Sequence, residues 1–155
     1  MSFYAQPGYS RSRVDAAGRR AALGHQSAED VTVIENWRAS HAQLLNTFKQ
    51  ILYNRQKKIA ANIVQRLKRR PTIIDKLTRD PKMRVRLSQM QDIAGCRVIF
   101  QDLHDLNAYK KLMDDGSFSH TLLYEKDYIE EPKDDGYRGI HQIYSYNVEP
   151  RVRTR

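Results

Sequence analysis

Only one cysteine, Cys96, occurs in the 155 residues, so no disulfide can close within the chain. That scarcity fits a reducing compartment, and a cytoplasmic location is the expectation. No apolar run approaches the length of a membrane span, and the N-terminus lacks the apolar segment of a secretory signal. Internal repeats are missing, as are zinc-ligand spacings and the Gly-rich loop of the P-loop type. Acidic residues are scarce beside basic ones, 18 against 27, which leaves a formal charge of +9. The excess favours an anionic partner, whether polyphosphate nucleotide, nucleic acid or acidic surface, without choosing among them.

With 40% hydrophobic and 29% charged residues, the composition is that of a soluble globular chain of about one domain. Residues 1–26 are polar and rich in Gly, Ser and Arg, and a mobile basic arm is expected there. Ser27 followed by Glu29 and Asp30 marks a helix start. Ile34, Trp37, His41, Leu44, Leu45, Phe48, Ile51 and Leu52 then recur at helical steps, and the stripe extends in this reading through Ile59, Ile63 and Val64. Pro71 suits the first turn of another helix, which Pro81 ends. Residues 94–100 read as a buried strand and 102–115 as a helix stopped by Gly116. Residues 122–129 read as a second strand, 132–136 as a turn and 140–146 as a third strand. The order predicts an α+β fold, a mixed sheet with helices packed on it.

Three stretches carry chemistry. In the first, Arg66, Lys68, Arg69 and Arg70 precede a helix that contains Lys76. Phosphate oxygens need fixed donors and positive charge, and Arg supplies a fork while Lys supplies a point charge. A solvated basic face is the commoner use of such a run. In the second, Asp92 stands just before the 94–100 strand and Arg97 within it. A carboxylate at a strand edge can hold Mg²⁺, and it can equally be a cap or turn residue. Arg97 in an apolar strand needs a partner, and both an acid and a phosphate remain open. In the third, Lys126, Lys133 and Arg138 interleave with Tyr128 and Tyr137, with His141 close behind. An aromatic face beside cations suits a purine nucleotide, although a lone Tyr is more often a turn or strand aromatic.

Taken in order, R-x-K-x7-K from Arg66, D-I-A-G-x-R from Asp92 and K-D-Y-I-x-x-P-K-x-x-G-Y-R-x-I-H from Lys126 resemble the synthetase domain of the RelA/SpoT family. The motif core spans 66–146, inside a partial domain placed at 27–155, with a helical lead-in around Glu35 to His41. The resemblance implies a nucleotidyltransferase-like fold, a mixed sheet flanked by helices and incomplete at its C-terminal end. It also implies a Mg²⁺-dependent pyrophosphotransferase that moves the β,γ-pyrophosphate of ATP to the 3′-hydroxyl of GDP or GTP, making (p)ppGpp. By position, Arg66, Lys68, Lys76 and Arg97 are implied as ATP contacts and Asp92 as the catalytic Mg²⁺ ligand. Lys126, Lys133, Tyr137 and His141 are implied on the acceptor side, with Tyr137 as the guanine platform. Asp127 belongs to the motif without an assigned role. Homo-oligomerisation is compatible with this reading. Transfer to the 3′ end of tRNA and an inactive nucleotide-binding remnant are the alternatives.

The family pattern continues into an E-x-Q-x-R-T strand whose Glu completes the metal site. Here the tail offers Glu149 in that place, with Arg151 where Gln is expected and Pro150 poorly suited to a central strand. Glu149 is therefore a degenerate second acid on a shortened hairpin, or the chain is a truncated product, which is the favoured expectation. Gly139 stands where the family commonly has Ser. The doublet of His104 and Asp105 reads as helix-start chemistry.

Overall fold

Ser10 accepts a hydrogen bond from the backbone N–H of Arg13 at 3.3 Å and so caps the first helix, α1 (Arg11–Ala22). Val14, Ala17, Gly18 and Ala21 are buried along one face, while Arg11, Arg13, Arg19 and Arg20 stay exposed. The expectation of a mobile arm is thus corrected for these residues. Their stripe has helical spacing, but it is built mostly from small side chains that carry little hydropathy. Gly18 permits the approach: a Cβ there would lie 2.9 Å from Leu87 Cβ.

The computed structural model describes residues 5–56, 59–80, 82, 84–116 and 120–146. The chain divides into two units, Met1–Met113 and Asp114–Arg155. In the first, α2 (Ala28–Gln56) opens on a reciprocal cap. Ser27 Oγ accepts from Asp30 N at 3.1 Å, and Asp30 Oδ2 accepts from Ser27 N at 3.0 Å. The helix ends at Gln56, whose side-chain amide donates to the Ala61 carbonyl at 2.7 Å. Ile63 and Val64 do not continue the helix; they belong to a strand, β1 (Ala61–Leu67). Their spacing mimics the helical stripe, but β-branched side chains flanked by Asn62 and Gln65 suit a half-covered ladder better.

Pro71 sits in the first turn of α3 (Arg70–Thr78), which stops short of Pro81. A 3₁₀ turn at Leu87–Gln89 leads to β2 (Ala94–Phe100). β2 pairs antiparallel with β1, from Ala61 opposite Phe100 to Leu67 opposite Ala94. Its side chains alternate half-buried and exposed, so the reading of a buried strand is also corrected. The core joins Val14, Ala17 and Ala21 of α1 to Val33 and Ile34 of α2, Ile73 and Leu77 of α3, and Leu87, Met90 and Ile93. Asp102 Oδ1 accepts from Asp105 N at 2.9 Å and starts α4 (Leu103–Asp115), as the doublet implied. Tyr109 Oη donates to the Leu52 carbonyl at 2.9 Å, tying α4 to α2.

The second unit is built on β3 (Thr121–Asp127) and β4 (Ile140–Ser145), an antiparallel pair with an irregularity between Leu122 and Tyr124. The α+β class is as expected. Both described ladders are antiparallel.

Candidate functional site

In an antiparallel ladder, residues directly opposite share a face. Asn62, Val64 and Arg66 of β1 therefore lie on one side with Ile99, Arg97 and Gly95 of β2, and all six are exposed. Arg97 is not the buried charge that an apolar strand implied; it projects from the uncovered face. Arg66 stands opposite Gly95, and a Cβ built on Gly95 would meet nothing within 4 Å. Two guanidiniums thus flank an open stretch of backbone.

Beyond Leu67 the ladder extends by one bond, from Lys68 N to the Ile93 carbonyl at 2.7 Å. The Lys68 carbonyl accepts from Arg38 Nε at 2.7 Å. Arg38 is held in turn by Glu35 at 3.1 Å, and Glu35 also pairs with Arg70 at 3.6 Å. The backbone of Lys68 is therefore fixed from both sides. Arg38 escaped the sequence reading because its partner lies 30 positions away and is a main-chain atom. Only the lead-in around Glu35 to His41 pointed near it.

Lys68 and Lys76 both reach Asp92. Lys68 Nζ lies 2.6 Å from Asp92 Oδ2 and Lys76 Nζ lies 2.9 Å from the same oxygen. The side chain of Lys68 is mostly covered and that of Lys76 is more open. Partial burial pushes the Asp92 carboxyl upward, but hydrogen bonds from Lys68 and Lys76, with their charges, outweigh it and hold the group below its ordinary range. One carboxylate beneath two ammonium groups leaves a net positive locus.

The second unit carries the aromatic residues. Asp127 Oδ1 accepts from Ile129 N at 2.7 Å and from Glu130 N at 3.2 Å, so its role is to cap the turn after β3. The backbone N–H of Gly136 closes a turn onto the Lys133 carbonyl at 2.9 Å, and Gly136 takes φ 79°, which favours glycine. Tyr137 then folds back, and its Oη shares a hydrogen bond with His141 Nε2 at 2.8 Å. Tyr128 meets His141 edge-on at 5.0 Å and Tyr137 at 6.0 Å. Lys133 Nζ lies 4.6 Å from the Tyr128 ring centre and 5.4 Å from that of Tyr137. Both are cation–π distances. A Cβ on Gly139 would come 3.0 Å from Tyr137 Oη, so the Gly found where Ser is common lets this ring pack close. Lys126 faces His141 across the ladder and is paired with Glu131, whose hydrogen bond raises the Lys126 ammonium above its ordinary value.

The predicted residues therefore gather in two groups. Lys68, Lys76 and Asp92, with Arg66 and Arg97 on the open ladder face, belong to the first unit. Lys126, Lys133, Tyr137 and His141 belong to the second. Glu149 lies outside the described residues. For a divalent cation, Asp92 fits in kind: Oδ1 has no partner among the described residues, and Mg²⁺ is commonly held by one or two carboxylates together with substrate phosphates. Asp102, His104 and Asp105 also bring ligand atoms within 4.8 Å of one another, but they lie at the start of α4, with Asp102 and His104 exposed and Asp105 half-buried.

A family model described as a region found in RelA / SpoT proteins matches residues 65–155. The chain is similar to the GTP pyrophosphokinase YjbM of Bacillus subtilis (strain 168), with 30% identity over 87 residues, 56% of this chain and 41% of that protein. It also resembles a crystal structure of the small alarmone synthetase 1 from Bacillus subtilis bound to its product pppGpp, at TM-score 0.61 and 25% identity. That match covers 71% of this chain and 60% of the other. The chain thus spans about two fifths of the curated relative's length.

Proposed function

This chain belongs to the RelA/SpoT family, and from that premise we propose that it binds ATP and a guanosine 5′-di- or triphosphate and transfers the β,γ-pyrophosphate to the 3′-hydroxyl. The observation that carries the reading is the convergence of Lys68 and Lys76 on Asp92. A polyphosphate needs clustered cations, and a transferred pyrophosphoryl group needs a metal ligand beside them. Arg66 and Arg97, exposed on the same ladder face, supply two further positive groups for ATP. Asp92 would hold Mg²⁺, which supplies charge neutralisation on the polyphosphate.

On the acceptor side, Tyr137 offers its ring to the guanine and Lys133 a charge to the acceptor phosphates. Tyr128 buttresses Tyr137 edge-on, and His141 fixes its hydroxyl. The work assigned to these side chains is binding and orientation, which supplies much of the acceleration in phosphoryl-type transfer.

The test is conversion of labelled GDP and GTP with ATP and Mg²⁺, resolved by chromatography. A pyrophosphorylated guanosine product is expected, and Asp92→Ala should abolish it. Tyr137→Ala should raise the acceptor KM by about tenfold to a hundredfold, since stacking on a base contributes about 1–3 kcal/mol, and Tyr137→Phe should keep most of the affinity. No product from a folded chain that binds neither nucleotide would overturn the reading.

A further inference from the structure

Lys68 and Lys76 reach the same carboxylate oxygen, Asp92 Oδ2, at 2.6 and 2.9 Å. Two like charges are thereby held close together by one acid. An ammonium has three donors and no acceptor, and its strongest bonds are to ionised oxygens. An ATP phosphate seeking these two groups competes directly with Asp92 and also meets its negative charge. A divalent cation on Asp92 would reverse both effects, since it repels the ammonium groups and cancels the carboxylate charge.

From this geometry, and resting on the nucleotide reading above, we infer that Asp92 is a metal-dependent gate on the ATP subsite. Without a divalent cation it ties up Lys68 and Lys76 and opposes ATP. With the cation it releases both lysines to the polyphosphate and becomes an anchor. The change needs only side-chain rotation. The Lys68 backbone is pinned by the Ile93 carbonyl and by Arg38, at 2.7 Å each. Lys76, in the last turn of α3, is the more exposed of the two and has the freer path.

The sign of the Asp92 effect should therefore invert with the metal. ATP affinity is measured by titration calorimetry on the full chain, once in EDTA and once in Mg²⁺. In EDTA, Asp92→Asn should bind ATP about tenfold more tightly than the unaltered chain, because two charge-assisted contacts are freed. In Mg²⁺ the same variant should bind about tenfold more weakly. Asp92→Ala should shift in the same directions, and thermal melts of both variants check folding. Asp75→Asn removes a carboxylate from α3 that pairs with Arg79 and touches neither lysine. It should stay within about twofold of the unaltered chain in both conditions. An unchanged or weakened EDTA affinity in Asp92→Asn overturns the gate while leaving the nucleotide site standing. An equal gain in Asp75→Asn reduces the effect to general charge and also overturns it. Failure of the unaltered chain to bind ATP both in EDTA and in Mg²⁺ removes the nucleotide reading itself.

Discussion

Arg20 donates to Asp30 from Nε at 2.9 Å and from Nη2 at 2.5 Å, and the Ser27 backbone N–H adds a third bond at 3.0 Å. Asp30 is only 2% exposed, so its charge depends on these donors. The Arg20 guanidinium first, and then the Ser27 N–H, hold the carboxyl far below its ordinary range. A carboxyl depressed in the folded state contributes stability above its unfolded pKa and loses it as pH falls through the folded value. The urea midpoint should therefore drop between about pH 5 and pH 2, and Asp30→Asn should flatten that part of the profile. Arg38 works differently, since it acts on a main-chain oxygen. Arg38→Met leaves the Lys68 carbonyl without that donor and should cost about 1–2 kcal/mol in urea unfolding. Of these residues, Lys68, Lys76 and Asp92 were legible from sequence because a spaced motif names them. Their mutual contact was not, since nothing in a linear motif states that two lysines share one oxygen.

At the scale of elements, α3, β2, α4 and β4 were legible because their signals are local. Pro71 fixes one start and Gly116 one stop, β-branched Val98 and Ile99 mark β2, and alternation marks β4. β1 was hidden by the coincidence that Ile59, Ile63 and Val64 prolong the spacing of α2. α1 was hidden by its small residues, whose value lies in close approach and not in hydropathy. That approach has a testable consequence. Gly18→Val places branched carbon where a Cβ alone would lie 2.9 Å from Leu87 Cβ. Overpacking of this kind should lower the unfolding free energy by about 1–3 kcal/mol, read from denaturant titration with an unchanged slope.

At the scale of the whole molecule, the net charge of +9 is compatible with a site for polyphosphates. Among the described residues no helix is long and apolar enough to cross a membrane. ATP binding should weaken markedly as salt rises from about 0.1 M to about 1 M, where the Debye length shrinks from about 10 Å to about 3 Å. A fluorescent ATP analogue titrated across that range would measure it, and a flat response would place the binding energy in apolar contact instead.

Val14, Ala17 and Ala21 reach the core from a segment whose composition reads as a mobile basic arm. Trimming an expression product at residue 26, the cut that composition alone recommends, would strip a wall from Val33, Ile34, Leu77 and Leu87. The shortened protein should come out of cells in inclusion bodies or bound to chaperones. Affinity tags are better placed ahead of Gln6 than in exchange for α1, since Gln6 and Gly8 bond to Asn36 and Tyr9 packs on the core.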